Sequence, residues 1–328
     1  MGIYFNPNNR SFKQAKNSMI YVDKTGLLEI LNRRLSTEDK CIALSHARRF
    51  GKSHAAGMID AYYSMGCDSS ELFDNTMISK NEDYKKYMNK YNVIHLDIAS
   101  FWDSYKDNII EKIVEYVYKD FKSCFGDELD YNDDIKYVLM KIYQKTNIPF
   151  VIIIDEWDCV IRNSEDKELV HSYLQFLHSL FKSEESRSFL ALAYITGILP
   201  IKKIKDESAL NNFREYTMLK SKPITKYYGF TEEEVKELCK KYNMNFDTVK
   251  AWYNGYMIDG TTIVSIKNYN DYDAHKNVAF EPLDGQQRLT TLWLLHWYIA
   301  YRAKALTEVN RNYLKKFSYE TRRSSADF

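Results

Sequence analysis

Only 5 prolines and 11 glycines occur in 328 residues, which leaves little room for a long flexible linker, and no internal repeat or low-complexity segment is present. Cysteine is also scarce. The five residues Cys41, Cys67, Cys124, Cys159 and Cys239 are odd in number, and no two stand at C-x-x-C spacing. That pattern indicates neither a disulfide framework nor a zinc site. Charge of one sign is missing too: 46 Lys and Arg face 45 Asp and Glu, a formal charge of +1. The bulk electrostatic case for nucleic-acid binding falls with it, although a local basic patch stays open. No apolar run is long enough to span a membrane. The most apolar stretch, Leu289 to Ala300, is too short and contains His296. The N-terminal MGIYFNPNNRSFKQ has no apolar core of a signal peptide, and Asn6 stands where a myristoylation signal needs Ser or Thr. A cytosolic protein with no membrane partner is expected.

What is present has the balance of an ordinary globular chain, 45% hydrophobic and 28% charged. At about 150 residues per domain, the length suggests about two domains, or one large α/β unit with an appendage. Four short apolar runs, Cys41–Leu44, Val93–Ile98, Phe150–Ile154 and Phe189–Ile195, read as strands buried on both faces. Helical patterns separate them, with Ile110, Ile113, Val114, Val117 and Phe121 on one face, and Val170, Tyr173, Leu174, Leu177 and Phe181 on another. Strands alternating with helices predict an α/β fold with a parallel sheet flanked by helices over residues 1–205. After residue 205 strands are expected to stop. Thr231-Glu-Glu-Glu234 is a capping box, with Phe230 and Val235 placed as a hydrophobic staple, so a helix is expected over 232–242. A second is expected over about 247–253, with Gly255 as its left-handed cap. Residues 206–260 therefore read as a helical lid, and 261–328 as a partial, mainly helical C-terminal fragment with a basic end.

The chemistry concentrates at strand ends. Ser45-His-Ala-Arg-Arg-Phe-Gly-Lys-Ser53 follows the first strand and opens a helix, the context of a phosphate-binding P-loop. There Gly51 lets backbone amides close on phosphate, Lys52 reaches the β/γ oxygens and Ser53 ligates Mg²⁺. The customary first glycine falls at His46, which is expected only to fill space. The third strand ends in Asp155 and Glu156, where a P-loop NTPase needs one carboxylate for the Mg²⁺ shell and one to polarise the attacking water. The fourth ends in Thr196, which is equally readable as a γ-phosphate sensor or as a structural cap. Arg48 and Arg49 are placed either to touch phosphate or to form surface ion pairs. Together with Arg214 they are unranked candidates for the arginine that completes the charge shell, unless a neighbouring chain supplies it. His171 and His178 read as packing residues.

Residues 1–260 resemble the bacterial AAA-ATPase-like family, whose members commonly carry a C-terminal PD-(D/E)XK nuclease-like domain. The stretches that carry the resemblance are Tyr21-Val-Asp-Lys-Thr25, Ala47-Arg-Arg-Phe-Gly-Lys-Ser53, Ile154-Asp-Glu-Trp-Asp158, Ile195-Thr-Gly197, Tyr228-Gly-Phe-Thr-Glu-Glu-Glu-Val235 and Trp252-Tyr-Asn-Gly-Tyr256. The family's own reduced P-loop lacks the first glycine, so His46 is no departure from it. The resemblance implies that Lys52 and Ser53 bind ATP and Mg²⁺, that Asp155 and Glu156 serve hydrolysis, and that the setting is DNA processing or phage defence. A homo-oligomer, DNA or a separate nuclease subunit are the partners it implies. Nothing in the sequence separates ATP from GTP.

A second signature lies further on. Pro282-Leu-Asp284-Gly285-Gln286-Gln287-Arg288-Leu-Thr-Thr-Leu292 places amide and guanidinium donors at the start of an apolar helix, a good anion site. It resembles the N-terminal domain of GmrSD-type restriction enzymes, of ParB/sulfiredoxin-like fold, in which an Asp-Gly-Gln-Gln-Arg motif is linked to nucleotide hydrolysis. Tyr319-Glu-Thr-Arg322 resembles a later stretch of the same family. The family's upstream strands have no counterpart here, so 261–328 is expected to be a truncated fragment, and no nuclease activity is expected of this chain alone. Three functions stand open: a Mg²⁺-dependent ATPase, a nucleotide-switched binding module with little turnover, and a restriction-type enzyme acting through the second motif.

Overall fold

The computed structural model describes residues 2–203, 210–218, 220–247 and 249, and the strands 255–258 and 261–264. The described residues lie in one compact unit, Met1–Asn268. Of the expected C-terminal fragment only the strand 261–264 is described, and the Asp284–Arg288 motif lies outside the described residues.

A five-stranded parallel sheet organises this unit, in the order β2-β3-β4-β1-β5. Its strands are Cys41–Ser45 (β1), Asn92–Asp97 (β2), Phe150–Asp155 (β3), Leu190–Gly197 (β4) and Arg214–Thr217 (β5). The four expected strands are all present, each within two residues of its expected ends. Helices Arg10–Lys16 (α1) and Leu27–Asn32 (α2) precede β1, while Lys52–Tyr63 (α3), Ser70–Phe73 (α4) and Tyr84–Tyr87 (α5) lead to β2. Ile98–Tyr105 (α6), Ile109–Phe125 (α7) and Ile135–Thr146 (α8) connect β2 to β3, and Cys159–Asn163 (α9), Lys167–Lys182 (α10) and Glu184–Phe189 (α11) connect β3 to β4.

The strands are apolar on both faces because both faces are covered. Ile94, Leu96, Ile152, Ile154 and Ile195 pack against the predicted stripes of α7 and α10, among them Ile113, Val117, Phe121, Tyr173, Leu174 and Leu177. Val93, Val151, Ile153, Leu192 and Tyr194 alternate onto the other face and meet Ala55, Ala56, Met58 and Ile59 of α3. The period of two along each strand thus assigns successive residues to opposite helical layers.

The expectation that strands stop after residue 205 is not met. Arg214–Thr217 pairs in parallel with β1, with Ile42 opposite Arg214 and Ser45 opposite Thr217. Beyond it Phe230–Thr231 (β6), Gly255–Ile258 (β7) and Thr261–Val264 (β8) form a small antiparallel sheet in the order β6-β8-β7. Gly255 opens β7, and the residues between it and the helical positions 246, 247 and 249 lie outside the described residues.

Helix Glu232–Lys241 (α12) forms as expected. Thr231 Oγ1 accepts from the Glu234 amide at 3.3 Å, Glu234 Oε2 accepts from the Thr231 amide at 2.7 Å, and Phe230 packs against Val235. The cap has a further partner: Lys24 Nζ donates to both Glu234 oxygens at 2.6 Å and to the Lys226 carbonyl at 2.7 Å. Tyr242 Oη also donates to the Met19 carbonyl. The helix is therefore tied to residues 19–24 near the N-terminus.

Substituting Glu234→Ala is expected to lower stability by about 1–2 kcal/mol in chemical unfolding of the full chain, through loss of the cap and of the Lys24 partner. Glu234→Gln keeps an acceptor for the Thr231 amide and is expected to cost less than half as much. Equal losses in the two variants would assign the effect to the ion pair alone.

Candidate functional site

Chain direction fixes where the site is. All five strands are parallel, so their C-terminal ends open on one side, and Ser45, Asp97, Asp155, Gly197 and Thr217 end them there. The register brings Ser45 beside Gly197 and Asp97 beside Asp155. Residues 46–51 then turn back from β1 into α3. The turn needs two positive φ angles, +68° at Arg49 and +76° at Gly51. At Gly51 the conformation, not the space, favours glycine, since a Cβ there would meet nothing within 4 Å.

The loop folds around the lysine. Lys52 is 7% exposed, and its Nζ donates to the carbonyls of His46 at 2.9 Å and Ala47 at 2.8 Å. Burial lowers its pKa, against which the charges of Asp155, Glu156 and Asp158 act to raise it. His46, at the position of the missing glycine, does fill space as expected, and it also braces the loop. Its ring lies edge-on to Phe50 and Tyr228, and its Nε2 meets Ser221 Oγ at 2.9 Å. Burial, reinforced by the charge of Lys52, pushes the imidazole pKa down to about 3.

The end of β3 is built from three acidic residues and one arginine. Asp155 is 5% exposed; its Oδ1 accepts from the Glu156 amide at 3.1 Å and from the Thr196 hydroxyl. Glu156 sits in the turn at φ +49°. Arg162, on α9, donates to Glu156 Oε2 at 2.9 Å and to Asp158 Oδ2 at 2.8 Å. Asp158 is fully buried, and the same oxygen accepts from the amides of Ile198 at 3.1 Å and Leu199 at 2.8 Å. Trp157 donates its amide to the Thr196 carbonyl at 2.9 Å. A Cβ at Gly197 would lie 2.7 Å from both Asp158 Oδ1 and Trp157 Nε1, so only glycine fits the rung between them.

Lys52, Asp155, Glu156 and Thr196 are thus brought to one end of the sheet. Thr196 commits its hydroxyl to Asp155, which makes it a positioning group for the carboxylate. Ser53 is exposed in the first turn of α3 and lines a cavity of about 280 Å³ with Ser11, Gln14, Ala15, Ser18 and His54. Arg48 and Arg49 are exposed at the loop tip and form no ion pair among the described residues. Arg214 is a correction: it stands at the start of β5, the opposite end from the loop, and pairs with Asp39 at 3.5 Å. It cannot complete this site from within the same chain. Sequence reasoning missed Arg162, although its spacing of four from Asp158 is the spacing of facing residues on a helix. It also missed Asp97, which ends an apolar strand as Asp155 does and caps the helix that follows it directly.

The sequence profile of the predicted AAA-ATPase family, the AAA-ATPase-like family, matches residues 10–205, and the chain belongs to that family. A protein of Azotobacter chroococcum mcd 1, described as an uncharacterized protein in the vnfD 5′ region, is 21% identical over 269 residues. The match covers 77% of this chain and 47% of that protein, so the chain spans about half the length of the curated relative it matches. Among solved structures, the Aeropyrum pernix ORC2 protein, in ADPNP and ADP complexes, is similar at 11% identity and a TM-score of 0.38, over 73% of this chain and 56% of its own. The Aeropyrum pernix ORC1 protein in complex with DNA is similar at 12% identity and a TM-score of 0.39, over 74% and 55% respectively. Among the described residues no helix is long and apolar enough to cross a membrane.

His46 supplies a prediction with a definite sign. Its folded pKa of about 3 lies below the ordinary 6.5, so its neutral form contributes stability that is complete above pH 6.5 and is lost as pH falls toward 3. The slope approaches about 1.4 kcal/mol per pH unit. Unfolding free energies of His46→Asn between pH 7 and 4 are expected to fall less steeply than those of the wild type, and parallel curves would show that the ring is not buried neutral.

Proposed function

We propose that this member of the AAA-ATPase-like family binds ATP with Mg²⁺ and hydrolyses it at the strand ends just described. The observation that carries the reading is the buried Lys52. An ammonium held, among the described residues, by two loop carbonyls, with three carboxylates in electrostatic reach, is poised to exchange those carbonyls for β/γ-phosphate oxygens. The surrounding residues fit nucleotide and metal. Gly51 leaves the loop open, Ser53 is exposed at the N-terminus of a twelve-residue helix, and Asp155 has one oxygen fixed by Thr196 and Glu156 with the other free of them.

Bound Mg²⁺ neutralises charge on the terminal phosphates. Ser53 and Asp155 would hold it. Arg48, Arg49 and the amides after Gly51 would contact the phosphate chain. Glu156 orients the attacking water through the oxygen that Arg162 leaves open. The occupied oxygen favours a second reading in which the chain holds ATP and turns it over slowly, as a nucleotide-switched binding module. Of the expected 206–260 lid, Arg214–Thr217 belongs to the central sheet, and the residues that follow it act as the lid in either case. The family resemblance points to a DNA-processing or defence setting, with DNA, a nuclease subunit or further copies of the chain as partners. The Asp284–Arg288 motif is a proposed second nucleotide site within a GmrSD-like fragment.

The test is Mg²⁺-dependent ATP hydrolysis by the full chain beside Lys52→Ala, Glu156→Gln and Arg288→Ala. Losses of about 100-fold or more are expected for the first two, with Arg288→Ala unchanged. Loss only with Arg288→Ala would move the activity to the C-terminal motif. ATP binding without turnover in any version would establish the switch.

A further inference from the structure

Asp97 ends β2 as Asp155 ends β3, and the two stand on the same rung of the parallel ladder. Partners on one rung point to the same side of the sheet, about 4.8 Å apart along the hydrogen-bonding direction. Which side follows from the alternation. Val93, four residues before Asp97, packs into the layer of α3, and His95, two before it, meets Asp60 of α3 at 3.3 Å. Ile153, two residues before Asp155, packs into the same layer. Both carboxylates therefore rise on the face of the sheet that α3 covers, with Lys52 at the start of that helix.

The plain reading of Asp97 is as the N-cap of α6. Its Oδ1 accepts from the amides of Ala99 at 3.1 Å and Ser100 at 3.4 Å. Both cap bonds fall on one oxygen. Oδ2 takes no hydrogen bond among the described residues, and the side chain opens to solvent at the mouth of the site. The cap thus fixes the carboxylate's direction and leaves one oxygen free. Glu156, by contrast, has Oε2 occupied by Arg162.

We propose that Asp97 is a further catalytic carboxylate of this ATPase, with Oδ2 accepting a hydrogen bond from the attacking water opposite the open oxygen of Glu156. The proposal rests on the hydrolase reading above. In the step, the water oxygen forms a bond to the terminal phosphorus of the nucleoside triphosphate. The bond from that phosphorus to the bridging oxygen breaks, and its electron pair leaves with the nucleoside diphosphate. One water proton passes to Asp97 Oδ2 and from there to the product phosphate. Partial burial, with the charges of Asp155 and Glu156 behind it, raises the pKa of this carboxyl, which suits a proton acceptor.

The chemistry separates cap from catalyst, because Asn caps a helix as well as Asp does and cannot take the proton. Asp97→Asn, Asp97→Glu and Asp97→Ala are compared in the full chain for melting temperature, Mg-ATP affinity by titration of a fluorescent analogue, and turnover, with Lys52→Ala as control. For Asp97→Asn the expected result is unchanged melting and affinity with turnover about 100-fold lower, and Asp97→Glu is expected to recover part of the loss. Turnover of Asp97→Asn within about threefold of the wild type, with only Asp97→Ala melting earlier, would reduce Asp97 to a cap. Parallel loss of melting temperature and turnover in Asp97→Asn would likewise overturn the proposal. A wild-type chain without Lys52-dependent hydrolysis would instead sink the hydrolase reading itself, and this proposal with it.

Discussion

Lys52 carries a positive charge into the protein interior, where an ammonium left without compensation costs several kcal/mol. Among the described residues no carboxylate pairs with it directly. Two loop carbonyls take two of its three hydrogens, and its charge is answered at longer range by Asp155, Glu156 and Asp158. Several groups at the strand ends keep those carboxylates in place. Thr196 and the Glu156 amide hold Asp155, Arg162 holds Glu156 and Asp158, and the amides of Ile198 and Leu199 complete the shell of Asp158. Two largely buried cations, Lys52 and Arg162, thus face three carboxylates, with Arg48 and Arg49 exposed at the loop tip beside them.

The strand order makes this arrangement compact. Inserting β4 between β1 and β3 puts Thr196 and Gly197 between the phosphate loop and the acidic turn, so one strand end touches both. Gly197 backs against Asp158 and Trp157 on one side, while Ser45 of β1 donates to the Leu199 carbonyl at 3.2 Å on the other. The single Ser45 hydroxyl hydrogen is shared with Glu215 at 2.8 Å, which accepts from the Ile201 amide at 2.6 Å. The segment after β4 is therefore stitched to β1 and β5 as well as to the carboxylates.

How legible each part was depends on how local its cause is. The central strands were legible because burial on both faces forces continuous apolar runs such as Phe150–Ile154. The capping box was legible because both of its hydrogen bonds close within four residues. β5 was not: Arg-Glu-Tyr-Thr buries only Tyr216, and it is a strand only because the edge of β1 is free to pair with it. The same omission misplaced Arg214, since without the strand nothing said at which end the arginine stands. His46 could be seen to differ from glycine, yet its bracing partner Ser221 lies 175 residues away. Lys52, Asp155 and Glu156 were legible from strand-end chemistry, whereas Arg162 matters only through the two carboxylates it bridges.

Contacts of the same kind tie the residues after β5 to the phosphate loop and to the N-terminal stretch. The Gly229 amide donates to the carbonyl of Phe50 in the phosphate loop at 3.0 Å, and Tyr228 meets Tyr194 of β4 through their hydroxyls at 2.6 Å. A loop that opens to admit phosphate must therefore move or break its bond to Gly229, two residues before the cap of α12. That helix cannot swing by itself, because Glu234 binds Lys24 and Tyr242 binds Met19. Motion started at the phosphate loop thus either carries residues 19–24 along with α12 as one block or gives up the Lys24–Glu234 ion pair and the Tyr242–Met19 hydrogen bond to leave them behind. The first path would have to release the Met77 amide from Asp23 and the Ile78 amide from Thr25, so the Tyr21–Thr25 stretch is anchored on both sides.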